Sequence, residues 1–171
     1  MSASEKPTFL VTSTKESVFI LIHGKATFLN ASTFKRFIDA SIKDFHPFFV
    51  IDFKNCTGMD STFLGILAWL GMKIRESEHR SFLIVRNLNK RNTELFQNLG
   101  LHNFISTEEA LRAEGADCAD SEQAFTPLEE TQKFQAMDIL DAHKNLVLAS
   151  KSNASLFKDV IKILENKVNE E

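Results

Sequence analysis

The sequence is poor in several residue types that define common protein classes. It has no tyrosine, one tryptophan, three prolines and six glycines in 171 residues. Its two cysteines, Cys56 and Cys118, lie in different contexts, and its five histidines form no HExxH motif. The pattern therefore supports neither a disulfide framework nor a metal site, and we expect no cofactor.

Long apolar runs are also absent. No stretch of the sequence reaches the roughly 18 residues of a membrane span, and "MSASEKPTFLV" at the N-terminus lacks the basic-then-apolar order of a signal peptide. The net charge is −3, which argues against direct binding of nucleic acid through bulk positive charge. We expect a cytoplasmic protein that neither inserts into a membrane nor binds nucleic acid directly.

Hydrophobic residues make up 43% of the chain and include 16 phenylalanines, enough for a substantial core. Apolar runs predict strands at about 8–11, 17–23, 48–53 and 81–85, with a final short strand at 104–105. Between the strands, apolar residues spaced three, four and seven positions apart predict helices. One of these helices covers about 61–75, and another ends at Gly100. This alternation predicts an α/β fold: a mixed β-sheet of four to five strands with helices packed on one side.

The composition changes after this α/β region, which spans residues 1–112. Acidic residues without any lysine or arginine mark a linker at 113–126. Residues 127–171 then predict a C-terminal hairpin of two amphipathic helices, the first from Leu128. Their apolar stripes require a covering surface. We leave open whether that surface is the domain, a docked partner or a second copy in a homodimer formed through these helices.

Common catalytic motifs are missing. The sequence has no GxSxG or GxGxxG, and the Gly24-Lys25 pair lacks the first glycine and the hydroxyl residue of a phosphate-binding loop. Asp52 and Asp60 could meet at the carboxyl end of a strand, where ligands of α/β proteins often bind. An enzyme that uses this pair of acids is therefore one alternative, although no further residue completes such a site.

The stretch "NCTGMDSTFLG" places Asp60, Ser61 and Thr62 between a strand and an apolar helix. Capping of the helix by Asp60 or Ser61 explains one polar residue, but not a hydroxyl pair. The longer segment "VIDFKNCTGMDSTFLGIL" resembles the signature of STAS domains, the anti-sigma factor antagonist family. In that pattern an apolar strand ending in Asp is followed by Met-Asp-Ser-Ser/Thr-Gly-Leu-Gly at the start of a helix. The resemblance covers about residues 8–112.

The resemblance implies a protein-binding module of bacterial signal transduction rather than an enzyme. A serine kinase that doubles as an anti-sigma factor would phosphorylate Thr62, with Ser61 as the alternative acceptor, and a phosphatase would reverse the modification. Asp60, Ser61, Thr62 and Phe63 would contact the partner. Phe63 departs from the family pattern, which often has glycine there. The alternative function is a constitutive STAS subunit of a larger assembly, such as a lipid-transport ABC system.

Overall fold

The computed structural model describes residues 8–44, 46–113, 124–130 and 132–171. The strands of this part of the chain are β1 (Phe9–Ser13), β2 (Ser17–Ala26), β3 (Phe48–Met59), β4 (Phe82–Arg86), β5 (Ser106–Thr107) and β6 (Thr126–Pro127). Its α-helices are α1 (Ala31–Lys43), α2 (Ser61–Glu76), α3 (Lys90–Asn98), α4 (Glu108–Ala113), α5 (Ala136–Ala149) and α6 (Asn153–Glu170), and a 3-10 turn covers Leu101–Asn103.

The strands form one mixed sheet in the order β5-β4-β3-β2-β1-β6. β2, β3, β4 and β5 run parallel to one another, whereas β1 pairs antiparallel with both β2 and β6. The predicted α/β fold with a mixed sheet is confirmed, with six strands rather than four to five. The additional strand, β6, comes from the end of the predicted linker. It lies at the sheet edge, where Pro127 needs no backbone N–H for pairing.

One face of the sheet carries the core. Alternate residues of the two central strands, such as Ile20 and Ile51, are fully buried on this face, whereas the residues between them are half-buried. Phe9 of β1 contacts Phe34 of α1 with ring centroids 5.3 Å apart, and Phe34 contacts Phe63 of α2 at 4.9 Å. The prediction that helices pack on one side of the sheet is therefore confirmed.

β3 is longer than predicted and determines where the candidate site lies. The strand does not end at Phe53 but pairs with β2 as far as Ala26 and Met59, through register shifts near Gly24. The side-chain amides of Asn89 and Asn92 each donate to the Cys56 carbonyl at 3.3 Å and so hold this extension from the α3 side. The segment "NCTGM", which lies beyond the predicted strand at 48–53, is strand because β2 and these side chains satisfy its backbone.

The end of the α/β region differs in detail from the prediction. Gly100 has φ 78° and ends α3 in the left-handed conformation, as predicted. The predicted strand at 104–105 is wrong, and the pairing strand is Ser106–Thr107. A Cβ atom added to Gly71 would lie 2.7 Å from side-chain atoms of both Phe104 and Ile105. These two residues pack against α2 instead of extending the sheet.

The C-terminal helices form the predicted hairpin, but the first begins later than predicted. α5 starts at Ala136, where the Asp138 side chain accepts a hydrogen bond from the Gln135 backbone N–H at 2.8 Å. Leu128 instead continues the edge pairing, since its N–H donates to the Phe9 carbonyl at 2.9 Å. Most of the predicted acidic linker, residues 114–123, and Phe45 of the first predicted helical stripe lie outside the described residues.

Candidate functional site: the start of helix α2

Asp60 connects three segments of the chain. It is the N-cap of α2, with extended backbone (φ −103°, ψ 174°), and its Oδ1 accepts the Phe63 N–H at 2.9 Å. Its Oδ2 accepts the N–H of Phe28, in the turn after β2, at 2.8 Å. Such a cap contributes about 0.5–2 kcal/mol to stability. Asp60 therefore joins the end of β3, the start of α2 and the β2–α1 turn.

The two hydroxyl residues differ in exposure. Thr62 is only 4% exposed, whereas Ser61 is half-buried. The Ser61 hydroxyl lies 2.9 Å from Nε2 of His143, a residue of α5. The structure thus brings the predicted acceptor Thr62 and its alternative Ser61 to the first turn of α2, where Ser61 is bonded to α5 and Thr62 is buried.

His143 was not predicted to belong to the site. Its Nδ1 lies 2.8 Å from the Ile139 carbonyl oxygen, which only accepts hydrogen bonds. In the neutral ring Nδ1 therefore carries the hydrogen and Nε2 accepts the Ser61 hydroxyl hydrogen. The ring is 4% exposed and packs edge-on against Phe157 of α6, with centroids 5.3 Å apart. The sequence could have indicated that His143 is buried, because it lies three residues from both Leu140 and Leu146 on the apolar face of α5.

Phe63 lies inside the protein, not on the surface where the sequence-based expectation placed it. Its side chain has no exposed area, and its ring stacks 6.0 Å from that of Phe9. At this position the family pattern often has glycine. In this protein the Phe63 ring fills the space between the sheet and α1. In this arrangement Phe63 has no surface to offer a partner.

The β2–α1 turn supplies two residues that sequence reasoning missed. Phe28 and Leu29 are 47% and 57% exposed, and the Phe28 backbone is bonded to Asp60. An exposed aliphatic and aromatic pair beside polar groups is typical of a protein-binding surface. No periodicity in the sequence distinguished these residues from a buried pair.

Asp52 lies within β3, far from Asp60 at the start of α2, so the two acids do not form a shared site. Its carboxylate accepts hydrogen bonds from the Lys54 backbone, the Asn87 side chain and Arg86 Nε. β3 continues from Asp52 to Met59 beside the shorter stretch Leu21–Ala26 of β2, so at about 3.3 Å per residue of β2 roughly 15–20 Å of strand separates Asp52 from Asp60. Their carboxylates accept hydrogen bonds from different groups, and the structure does not support the alternative of a paired-acid site.

Asp52 instead belongs to an ion network on the other face of the sheet. Arg86 Nε lies 3.2 Å from Asp52, Arg86 Nη1 3.9 Å from Glu108, and Arg112 Nη2 3.1 Å from Glu108. Each carboxylate of this partly buried network has a cationic partner, as a charge removed from water requires. The network accounts for these residues structurally.

Cys56 is near the site but is buried. Burial raises the pKa of the Cys56 thiol, against the opposing effect of nearby hydrogen-bonding groups led by the Gly58 backbone. A raised pKa keeps the thiol protonated and unreactive at neutral pH. Among the described residues, no group of three or more His, Cys, Asp or Glu is suited to hold a metal ion. None of the helices in the same part of the chain is sufficiently long and apolar to cross a bilayer.

Comparison with known proteins identifies the α/β part of the chain. The STAS domain model matches residues 9–114, more than half of the sequence. No curated protein sequence matches the chain significantly.

Among solved structures, an anti-sigma factor antagonist from Mycobacterium paratuberculosis is 23% identical, with a TM-score of 0.54; the match covers 66% of this chain and 97% of that one. The anti-sigma factor antagonist SpoIIAA in its unphosphorylated form is 20% identical, with a TM-score of 0.49 and coverage of 63% and 93%. At 23% identity the likeness to the mycobacterial protein is one of fold. With the Met59-Asp60-Ser61-Thr62 sequence at the start of α2, the family match shows that this chain belongs to the STAS domain family.

Proposed function

We propose that the protein is a partner-switching regulator of the anti-sigma factor antagonist type. In this role it binds a kinase-like or anti-sigma-type protein and is released when Thr62 is phosphorylated, with Ser61 as the alternative acceptor and a phosphatase to restore binding. The observation that carries the proposal is the hydroxyl pair on the first turn of α2, capped by Asp60, in a STAS fold. The role requires no catalysis by this chain.

The chemistry of the switch belongs to the partner kinase. The Thr62 oxygen would attack the γ-phosphorus of a nucleoside triphosphate held by the kinase. The bond from that phosphorus to the β–γ bridging oxygen breaks, a base on the kinase takes the hydroxyl proton, and the diphosphate leaves. The product carries about −1.5 to −2 charge at neutral pH.

The start of α2 suits such a charge. The N-terminal backbone N–H groups and the helix dipole favour an anion, and the first turn of α2 contains no acidic residue beyond the cap. A partner seated on Asp60 and the adjacent turn would instead meet added charge and bulk. Phosphorylation should therefore weaken partner binding while the strands and helices of the α/β region stay folded.

Phe28 and Leu29 extend the proposed partner surface beyond the residues predicted from the sequence. Phe28→Asp should reduce capture of the partner by more than about tenfold, since buried interface aromatics often contribute 2 kcal/mol or more. Phe82→Asp is the matched control, because Phe82 has a similar exposure of 50% but lies at the start of β4. Equal loss in both variants would show a general effect of the added charge, and unchanged capture by Phe28→Asp would place the partner elsewhere.

The burial of Thr62 favours a second candidate. A threonine that is 4% exposed, beside a serine bonded to His143, suits a constitutive STAS subunit in which the hydroxyls serve only in packing. A lipid-transport ABC system is the type of assembly that the family resemblance suggests. In that case the same partner is bound at all times.

The deciding experiment captures partners from the native cell with wild-type protein, Thr62→Ala and Thr62→Glu, and maps phosphorylation by mass spectrometry. Retention of a kinase-like partner by the alanine variant, its loss from the glutamate variant and phosphate on Thr62 would support the switch. Phosphate on Ser61 would move the acceptor by one residue. An unmodified pair with identical partners on all three baits would contradict the switch and favour the constitutive subunit.

The homodimer through the C-terminal helices also stays a proposal. Its support is an uncovered apolar strip on α6, formed by Leu156, Val160 and Ile163, which are 63%, 41% and 66% exposed. Light scattering after size exclusion would give the mass directly. A monomer at all accessible concentrations would contradict the proposal.

A further inference from the structure

Helix α5 lies across the start of α2, outside the segment that matches the family. Its His143 bonds to Ser61 at 2.9 Å, and Thr62 beside it is nearly inaccessible. Leu140, Ala142 and Leu146 of the same helix are also buried. A kinase active site needs the acceptor hydroxyl free on a surface, so this arrangement and modification of Thr62 exclude each other.

Contact between the two helices depends on Gly65. A Cβ atom placed there would lie 2.2 Å from the Ala142 carbonyl oxygen and 2.6 Å from its carbon. The three nearest atoms all belong to the backbone of α5, and none to the sheet or to α1. One methyl group at this position would therefore displace α5 while leaving the contacts of α2 with the sheet in place.

Gly71, two turns further along α2, provides a comparison within the same helix. A Cβ atom there would meet the side chains of Phe104 and Ile105 at 2.7 Å, on the segment that follows α3. Substituting alanine for Gly65 or for Gly71 therefore adds the same methyl group to the same helix. The added group contacts α5 in the first case and the segment after α3 in the second. Only the first neighbour covers the hydroxyl pair.

We propose that α5 is a displaceable cover over Ser61 and Thr62. The docked helix keeps both hydroxyls from any modifying enzyme, and they become accessible when α5 leaves α2. The exposed Phe28 and Leu29 remain available in the docked state, so a partner can make its first contact before the cover opens. The apparent affinity of any protein that needs the open state is reduced by the fraction of open molecules.

The biological consequence of this proposal rests on the proposed function, but the cover itself does not. It therefore needs a test without any kinase. Thr62→Cys in a full-length Cys118→Ser background places a thiol at the acceptor position, and Cys56 remains as a buried internal reference. The rate at which a small maleimide labels the introduced thiol under native conditions, followed by peptide mass spectrometry, measures the opening of α5.

We expect Gly65→Ala to increase the labelling rate of the introduced thiol by about tenfold or more, because overpacking a close helix contact strongly favours its separation. Gly71→Ala should change that rate by less than about twofold, and Cys56 should stay unlabelled in both variants. His143→Ala removes the hydrogen bond from α5 to Ser61 and adds no atoms. It is the alternative variant if Gly65→Ala does not fold. It should also accelerate labelling of the introduced thiol.

Three results would overturn the proposal. Rapid labelling of the introduced thiol without any further substitution in α2 or α5 would show that α5 does not cover it. Equal acceleration by Gly65→Ala and Gly71→Ala, with Cys56 labelled in step, would show general loosening. Unchanged labelling in His143→Ala and Gly65→Ala would show that another element protects Thr62. Each result is independent of whether Thr62 is phosphorylated in the cell, which the capture experiment decides separately.

Discussion

The two helices of the C-terminal hairpin have similar amphipathic sequences but very different surroundings. α5 buries Leu140 and Leu146, at 3% and 0% exposure, against the rest of the protein. α6 buries Phe157 and Asn153 near its start, yet leaves Leu156 and Ile163 mostly in solvent. The more regular apolar stripe belongs to the more exposed helix. Regularity of a stripe therefore indicates that a helix forms, but not how much of it is covered.

The apolar residues of the two helices differ in exposure because the helices pack against different neighbours. α2 offers α5 a small residue, Gly65, so that the two backbones approach closely over the first turns of α2. α6 packs on α5, which is itself a single helix and covers only one side of the stripe. The Lys144–Glu165 ion pair at 3.1 Å adds one exposed link between them. A helix whose main contact is with one other helix keeps a large part of its surface in water.

The largest expected effect compares two leucines. Leu146→Ala should lower the free energy of unfolding by about 2–5 kcal/mol, because it leaves a cavity in the core. Leu156→Ala, on the exposed strip of α6, should change it by less than about 0.5 kcal/mol. Urea denaturation followed by circular dichroism measures both. Similar losses for the two variants would mean that α6 is covered in solution, and concentration-dependent unfolding of the wild type would then identify a second copy.

An intermediate effect is expected at the turn that joins the two helices. The Asn153 amide donates to the Leu99 carbonyl at 3.0 Å and to the Leu146 carbonyl at 2.8 Å, and the residue is 1% exposed. Asn153→Ala removes both bonds; the Leu146 carbonyl keeps the Ser150 N–H as a donor, whereas the buried Leu99 carbonyl loses the amide, and the substitution should cost about 1–3 kcal/mol. Asn166→Ala, at an exposed position of α6, is the control and should be close to neutral. Thermal unfolding of both variants would show whether the turn anchors the hairpin to the end of α3.

The smallest effect is expected for the ion pair between the helices. Lys144 and Glu165 are about half exposed, so solvent screens their attraction. A double-mutant cycle with Lys144→Met and Glu165→Gln should give a coupling free energy below about 1 kcal/mol that decreases with added salt. A larger, salt-resistant coupling would show that α6 is held to α5 more firmly than its exposed stripe indicates.

Local patterns predicted most of the α/β region. Apolar runs located its main strands, apolar residues spaced three and four positions apart located its helices, and Gly100 correctly predicted the end of α3. The prediction failed where pairing between distant segments decided the outcome. The polar end of β3 is strand because β2 and the Asn89 and Asn92 side chains satisfy it, and Thr126–Pro127 is strand because β1 offers a free edge.

Some residues of the candidate site were predictable from local order, and others were not. Asp60, Ser61 and Thr62 are adjacent in the sequence, so their place at a strand-to-helix junction was predictable from their order and residue types. His143 lies 82 positions from Ser61, and Phe63 could have faced either side of α2. Residues brought together from distant parts of the chain leave no local spacing by which the sequence can indicate them.

Local residue order was enough to specify the elements, their succession and the junction that carries the hydroxyl pair, because hydrogen bonding and apolar periodicity act over a few residues. The three-dimensional fold placed α5 against Ser61 and Phe63 in the core. It also decided that the paired acids are apart. The physical reason is that burial depends on which surfaces meet, and here a single glycine on α2 allows α5 to approach closely enough to bring His143 to Ser61.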